Sequence, residues 1–173
     1  MLELGNARRT VALAASAIAL AGGATVGLGV AAAYADGDCG ASWNNVGSPA
    51  NMYLTDGITY VGQVEQQYQN CGGGVVNARS HFQWAGSFQN SHPGDEVDVW
   101  EYSPYSNDTG SQWYYTYSKD AYSYPVEIHQ ANPDNWQARA ALNGCGDYAQ
   151  GTYWAYRTGT PLGGEQTGYC PDV

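Results

Sequence analysis

Hydrophobic and polar residues alternate with a period of two along most of the chain, which is typical of strands with one buried face. Turn-forming runs such as "TDG", "NCGGG" and "NSHPGD" interrupt the alternation at short intervals. The pattern predicts eight strands: Asn51–Thr55, Ile58–Tyr68, Val75–Trp84, Glu96–Tyr102, Gln112–Ser118, Pro125–Gln130, Trp136–Leu142 and Thr152–Arg157.

The predicted strands are not separated by helical patterns. No convincing amphipathic helix follows residue 35, so the strand–helix alternation of parallel sheets is missing. We therefore predict an all-β fold, a single antiparallel β-sandwich or small barrel of about eight short strands with two disulfides.

Two segments of the chain resemble each other weakly. "VEQQYQNCGGGVVNARSHF" begins at Val64 and "VEIHQANPDNWQARAAL" begins at Val126, and both contain Val-Glu, a polar turn and then Asn or Gln followed by Ala-Arg. In the second segment the alternation puts Ala138, Ala140 and Leu142 on the inner face and Arg139 on the outer face. Two related hairpins, one in each sheet, would explain the likeness, and chance similarity is the alternative.

Residues 1–35 have the pattern of a cleaved export signal. Arg8 and Arg9 precede an apolar, Ala- and Gly-rich stretch, and Ala33-Tyr34-Ala35 matches the small-x-small cleavage rule. A membrane anchor is the alternative, and the paired arginines leave both the general and the twin-arginine export routes open. We expect a secreted, extracellular domain at 36–173, a layout that resembles that of small exported bacterial proteins.

All four cysteines lie in the predicted mature domain. An even number of cysteines in an exported chain indicates two disulfides, and no Cys-x-x-Cys spacing favours a metal. Three pairings are open. We expect Cys39–Cys71 and Cys145–Cys170, because this pairing closes the shorter loops and ties each end of the domain to its body.

The charge balance restricts the partners. The chain has a net charge of −10, and residues 36–173 contain four basic and 15 acidic residues, hence −11. Such a surface repels phosphate backbones and anionic membranes, so nucleic acid and membrane partners are not expected. Glycans, extracellular proteins and calcium remain candidates, and the oligomeric state is unspecified.

Aromatic residues provide the strongest functional signal. The chain has 15 tyrosines and six tryptophans but only two phenylalanines, whereas packing alone favours rings without polar atoms. If Val97 and Val99 face the core, then Trp100 and Tyr102 point outward. The register of the second strand decides whether Tyr114 or the row of Trp113, Tyr115 and Tyr117 extends that outer face. The predicted ligand-binding residues are Trp100, Tyr102, Trp113, Tyr115 and Tyr117.

Such a ring platform, flanked by carboxylates and amides, is typical of sugar-binding surfaces. Rings stack on the apolar C–H faces of sugars, and the polar side chains bind the hydroxyls. The alternative interpretation turns the same rings inward as the core of a small sandwich, since cross-strand aromatic pairs also stabilise hairpins.

The segment "SHPGDEVDVWE" brings several carboxylates close together in sequence. Asp95, Glu96 and Asp98 offer the hard oxygen donors that calcium prefers, although the spacing is not that of an EF-hand. Calcium is therefore a candidate structural ion, and no other cofactor is expected. A solvated strand edge, charged against aggregation, is the alternative.

Nucleophilic catalysis has no support in the sequence. The histidines His81, His92 and His129 lie in no nucleophile motif, the G-x-S-x-G elbow is missing, and oxidised cysteines provide no thiolate. The leading hypothesis is a secreted non-catalytic module for a polysaccharide or cell-envelope glycan.

Two other function classes stay open. A protein-binding role, as a small protease inhibitor or a cell-surface component, would use an exposed turn such as Ser106–Gly110. A glycan hydrolase would need paired carboxylates, for which Glu65, Glu101 and Glu127 are the strand-borne candidates.

Overall fold

The computed structural model describes residues 38–172, so the predicted signal peptide and its cleavage site lie outside the described residues. This part of the chain contains twelve strands, a six-residue α-helix and one 3-10 helix. None of its helices is long and apolar enough to cross a membrane. The strands are β1 (Asn44–Leu54), β2 (Tyr60–Gly72), β3 (Val75–Trp84), β4 (Glu96–Tyr102), β5 (Gln112–Tyr115), β6 (Asp120–Tyr122), β7 (Val126–Glu127), β8 (Asn135–Leu142), β9 (Ala149–Gln150), β10 (Trp154–Ala155), β11 (Thr160–Pro161) and β12 (Gly168–Cys170), with α1 at Gly86–Ser91 and the 3-10 helix at Ile128–Gln130.

The strands form two sheets of six. The first sheet has the order β12-β1-β2-β3-β6, with β7 beside β3. The second has the order β11-β10-β8-β4-β5, with β9 beside β8. Within the described residues the pairing is antiparallel except between β1 and β12, which run parallel. The all-β prediction is confirmed.

The inner faces of the two sheets share one hydrophobic core. Val64 and Phe82 of the first sheet belong to the same buried cluster as Val97 and Val99 of the second. Val97 and Val99 are fully buried, which confirms the predicted inner face of β4. The predicted inner residues of β8 are also buried, namely Ala138, Ala140 and Leu142.

The strand bounds differ from the prediction where local hydrogen bonds compete with the ladder. Ile58 lies in a turn and is 84% exposed, because Asp56 Oδ1 accepts hydrogen bonds from the backbone N–H groups of Ile58 and Thr59. The predicted strand Pro125–Gln130 ends early, since the Glu127 side chain accepts from the N–H of His129 and starts the 3-10 helix.

Both disulfides have the expected pairing. Cys39 is bonded to Cys71, and Cys145 is bonded to Cys170. The first bridge joins the stretch before β1 to the end of β2, within the first sheet. The second joins the loop after β8, in the second sheet, to β12 in the first. Only the second bridge therefore links one sheet to the other within residues 38–172.

Candidate functional site

The outer face of the second sheet carries rings and carboxylates together. Strand β4 points Val97 and Val99 inward, so its alternate residues lie on the outer face. Across the ladder, Trp113 of β5 is opposite Asp98, and Tyr115 is opposite Glu96. Cross-strand neighbours share a face, so two rings and two carboxylates are adjacent on this surface.

Three of the predicted rings form a continuous row, which we call the ring row: Trp113, Tyr115 and Tyr117. Neighbouring ring centroids are 5.4 and 5.2 Å apart, and the ring planes meet at 70° and 32°. Trp113 is 56% exposed and Tyr117 is 78% exposed. The register also decides between the alternatives left open by the sequence, because Tyr114 packs against the core. The ring row is accessible and curved.

Trp100 and Tyr102, also on this face, have a different environment. The Trp100 ring meets Tyr148 edge-on, with centroids 5.3 Å apart at 64°. The guanidinium of Arg139 lies 3.4 Å above the centre of the Tyr102 ring and 5.1 Å from that of Tyr148. Tyr102 and Tyr148 therefore hold an arginine by cation–π contacts, and Trp100 packs against one of these two rings.

Arg139 is fixed by hydrogen bonds as well as by rings. Its Nε and Nη2 donate to Gln137 Oε1 at 3.0 and 2.9 Å, and Nη1 donates to the Tyr148 hydroxyl at 3.2 Å. Gln137 Nε2 in turn donates to the carbonyls of Gly151 and Gly164. Beside this cluster is a cavity of about 320 Å³, open to solvent, which we call the arginine cavity. Its lining residues are Tyr102, Pro104, Gln137, Arg139, Gln150, Tyr153, Leu162, Gly163 and Gly164.

A second ring-held arginine lies on the outer face of the first sheet. Arg79 of β3 lies 4.0 Å from the centre of the Trp43 ring and 4.3 Å from that of Tyr122. Its Nε donates to Gln67 Oε1 at 2.9 Å. Each sheet thus has one arginine held between rings, Arg79 on β3 and Arg139 on β8. The explanation of the weak sequence likeness as one hairpin in each sheet is wrong, because β7 pairs with β3 in the first sheet whereas β8 pairs with β4 in the second.

Beside Arg79 is a buried histidine–carboxylate pair. His81 Nδ1 lies 2.7 Å from Glu65 Oε1, and the imidazole stacks on Tyr122 at 4.6 Å and 4°. His81 Nε2 is 3.7 Å from Asp120 Oδ1, and Asn45 donates to the other Glu65 oxygen. Among the described residues no hydroxyl or thiol hydrogen bonds to His81, whose Nδ1 contacts Gln67 and Glu65.

Glu101 lies inside the sandwich. It continues the inward positions of Val97 and Val99 and is fully buried. Gln66 Nε2 donates to Glu101 Oε2 at 2.8 Å, and Ser80 Oγ lies 3.0 Å from Oε1. Burial raises the pKa of Glu101 to about 8, and the bonds to Ser80 and Gln66 oppose that rise.

The three carboxylates considered for glycan hydrolysis are in separate places. Glu65 lies on the outer face of the first sheet, Glu101 in the interior, and Glu127 at the start of the 3-10 helix. Glu101 has no solvent-exposed surface, so the three carboxylates do not face a common cleft.

One candidate calcium ligand, Asp95, precedes β4 in the chain, and the other two, Glu96 and Asp98, lie within the strand. Glu96 and Asp98 are on the outer face, and burial raises the pKa of Asp98. Asp95 belongs to the preceding turn, where its backbone carbonyl accepts from Thr116 N–H. No group of three or more His, Cys, Asp or Glu side chains in residues 38–172 is arranged to hold a metal ion. The calcium site stays a prediction.

Sequence reasoning missed most of the arginine cavity. It placed Arg139 on the outer face, and the scarcity of basic residues was an available signal that this position is unusual. Tyr148, which contacts Arg139, and Tyr153, which lines the cavity, gave no such signal, because they lie in short segments whose pairing has no local periodicity.

No protein-family model matches the chain, and no curated protein or solved structure matches it.

Proposed function

We propose that this protein is a secreted, non-catalytic module that binds polysaccharide chains, such as cell-envelope glycans, on the outer face of the second sheet. The observation that carries the proposal is the exposed ring row, with Asp98 and Glu96 directly opposite Trp113 and Tyr115. Exposed, contiguous apolar surface of this kind marks contact with a ligand. The two disulfides are compatible with an oxidising, extracellular environment.

The chemistry of the ring row matches that of a sugar chain. Tryptophan and tyrosine rings stack on the apolar C–H faces of pyranose rings, and their polar atoms stay in water. Carboxylates accept hydrogen bonds from hydroxyl groups, and such charge-assisted bonds are stronger than neutral ones. A glycan lying along the ring row would therefore contact rings on one side and carboxylates on the other.

The curvature of the ring row selects the form of the glycan. Since the ring planes meet at 70° and 32°, a flat crystalline surface could stack fully on only one ring at a time. A single chain can turn from one ring to the next. We therefore propose soluble or amorphous polysaccharide as the ligand, in preference to crystalline cellulose or chitin.

The positions of the carboxylates favour binding over hydrolysis. Glu96 and Asp98 stand side by side on β4, whereas glycosidases need two carboxyl groups on opposite sides of the scissile bond. Glu101, whose pKa burial raises to about 8, is fully buried, and Asp98, whose pKa burial also raises, has Glu96 beside it on the same strand.

Affinity electrophoresis of the protein, expressed from its full-length sequence, in gels containing soluble polysaccharides tests the proposal. We expect retardation by at least one polysaccharide, and at least a tenfold weaker affinity in the W113A/Y117A variant. Both rings are exposed and each contacts Tyr115, so the variant should lose at most about 2 kcal/mol of the free energy of unfolding and stay folded.

Tyr169→Ala is the matched control, because Tyr169 is a 42% exposed ring on the first sheet. It should leave the retardation unchanged. The proposal fails if no soluble polysaccharide retards the protein, or if W113A/Y117A and Tyr169→Ala behave alike.

A further inference from the structure

The arginine cavity contains a positive charge without a negative partner. Among the described residues, no carboxylate oxygen lies within 4.0 Å of a nitrogen of Arg139 or Arg79, whereas Lys119 lies 3.9 Å from Asp120 and Arg157 lies 3.8 Å from Asp134. Burial lowers the pKa of both ring-held arginines, but the charge of Asp38 opposes that effect at Arg79, and no carboxylate acts on the pKa of Arg139 in this way. This is unexpected in a chain with 16 acidic residues and six basic ones.

The groups that contact Arg139 are uncharged, and its side chain is partly buried from solvent. Its hydrogen-bond acceptors are the amide oxygen of Gln137 and the hydroxyl of Tyr148, and two tyrosine rings hold its plane. Burial lowers the pKa of the guanidinium, and Tyr148 and Tyr102 oppose that effect. Holding a cation partly out of water without a counter-charge costs free energy, which an incoming anion would offset.

We propose that the arginine cavity is a carboxylate-binding subsite that receives a uronic acid unit of the glycan. The inference rests on the proposed function, and it names the chemical class of the ligand. The guanidinium supplies the charge, and the surrounding rings and amides contact the sugar.

A single guanidinium suits a carboxylate better than a phosphate. Three of the five guanidinium N–H groups donate to Gln137 and Tyr148, which leaves one on Nη1 and one on Nη2 for the two oxygens of a carboxylate. Among the cavity-lining residues Arg139 is the one basic side chain, and Glu96 and Asp98 of the same outer face repel a doubly charged group.

The size and lining of the cavity suit one sugar unit. Its volume of about 320 Å³ is at the small end of the ~300–1,000 Å³ range of ligand pockets. Tyr102, Tyr153 and Leu162 offer apolar surface for C–H groups, and Gln150 offers an amide to hydroxyls. The bonds from Gln137 and Tyr148 hold the guanidinium in place before a ligand arrives, which lowers the entropic cost of binding.

Isothermal titration calorimetry at low ionic strength, with the protein expressed from its full-length sequence, tests the inference. The ligands are a trimer of two neutral sugars and one glucuronic acid, which carries a single carboxylate, and the same trimer as its neutral methyl ester, with sodium acetate and sodium phosphate as free anions. We expect the acid to bind at least tenfold more tightly than its ester. Acetate and phosphate should bind far more weakly than the trimer.

Two variants test whether the charge of Arg139 causes the preference for the acid. Arg139→Gln should abolish the preference for the acid, and Arg79→Gln, which removes the matching ring-held arginine of the first sheet, should retain it. Leu162→Glu provides a test that does not depend on the fold tolerating a change at Arg139. Leu162 is 51% exposed at the cavity, so a carboxylate there should weaken binding of the acid and leave the ester unaffected.

The inference is overturned if acid and ester bind equally, if acetate or phosphate binds as tightly as the trimer, or if Arg139→Gln keeps the preference. Failure of the proposed function has a different signature. W113A/Y117A would then leave binding of the trimer and its ester unchanged, whatever the effect of Arg139→Gln.

Discussion

At the scale of single residues, Glu101 shows how a strand pattern can bury a charge. The alternation that turns Val97 and Val99 inward also turns Glu101 inward, where it is fully buried. Gln66 and Ser80, from the opposite sheet, provide its hydrogen bonds. An isolated carboxylate is costly in such a place, so the group keeps its proton, and its pKa rises to about 8.

Stability should therefore depend on the titration of Glu101. The folded protein holds this proton up to pH about 8, whereas the unfolded chain releases it near the ordinary value of 4.5. The stabilisation is fully present below pH 4.5 and is lost as the pH rises toward 8, by a few kcal/mol at about 1.4 kcal/mol per unit. In Glu101→Gln we expect this part of the decline to disappear.

Urea unfolding of the parent and variant at several pH values from 4.5 to 9 measures the difference. The free energy of unfolding of Glu101→Gln, measured relative to that of the parent, should increase as the pH rises. Glu96→Gln, on the outer face of the same strand, should follow the parent. A constant difference between Glu101→Gln and the parent across this range would refute the assignment.

At the scale of elements, the pairing of β2 with β3 requires a glycine at position 62, because the two strands approach too closely there for a side chain. Gly62 pairs with Trp84 in the register of these strands. A Cβ atom at Gly62 would lie 2.3 Å from the carbonyl oxygen of Gln83 and 2.7 Å from the Phe82 ring. Since both neighbours belong to the buried sheet, neither can move away without disturbing the core.

We expect Gly62→Ala to lower the free energy of unfolding by about 1–3 kcal/mol, the usual cost of overpacking. Thermal unfolding followed by circular dichroism would show it as a lower Tm. Gly86→Ala is the control, because a Cβ atom there meets no atom within 4 Å. Equal Tm values for the two variants would contradict the close approach at Gly62.

At the scale of the whole molecule, the two disulfides have different structural roles. The bridges span 32 and 25 residues. Loop-closure entropy therefore predicts nearly the same stabilisation for both, about 3.5 kcal/mol each. The two bridges differ in their burial and in the strands that they join. Cys170 is fully buried and its bridge joins the two sheets, whereas Cys39–Cys71 lies at one end of the first sheet.

We therefore expect the Cys145→Ala/Cys170→Ala variant to be less stable than the Cys39→Ala/Cys71→Ala variant. The first change removes a buried side chain and the covalent link between sheets, and the second removes little buried volume. Differential scanning calorimetry of both variants gives the comparison. An equal or larger loss of Tm for Cys39→Ala/Cys71→Ala would contradict this order.

The sequence by itself determined the regular strands and their sidedness. Val75–Trp84 and Glu96–Tyr102 form strands with the predicted bounds, because hydrophobic and polar residues alternate over enough positions to be recognised. The strand at Glu96–Tyr102 alternates between buried and half-buried side chains, whereas Val75–Trp84 has buried residues on both faces. The same alternation placed Val97 inward and Arg139 outward. Loop length and the even cysteine count were enough to predict the disulfide pairing.

Only the tertiary structure decided which side chains meet. Strands of two or three residues, such as β9 and β10, are too short to show a period. The burial of Glu101 depends on Gln66 and Ser80 of the other sheet, and the clamp on Arg139 depends on Tyr102, which is 37 positions away in the chain. Periodicity records which face of a strand is buried, but strand pairing and sheet packing are long-range contacts that leave no local mark.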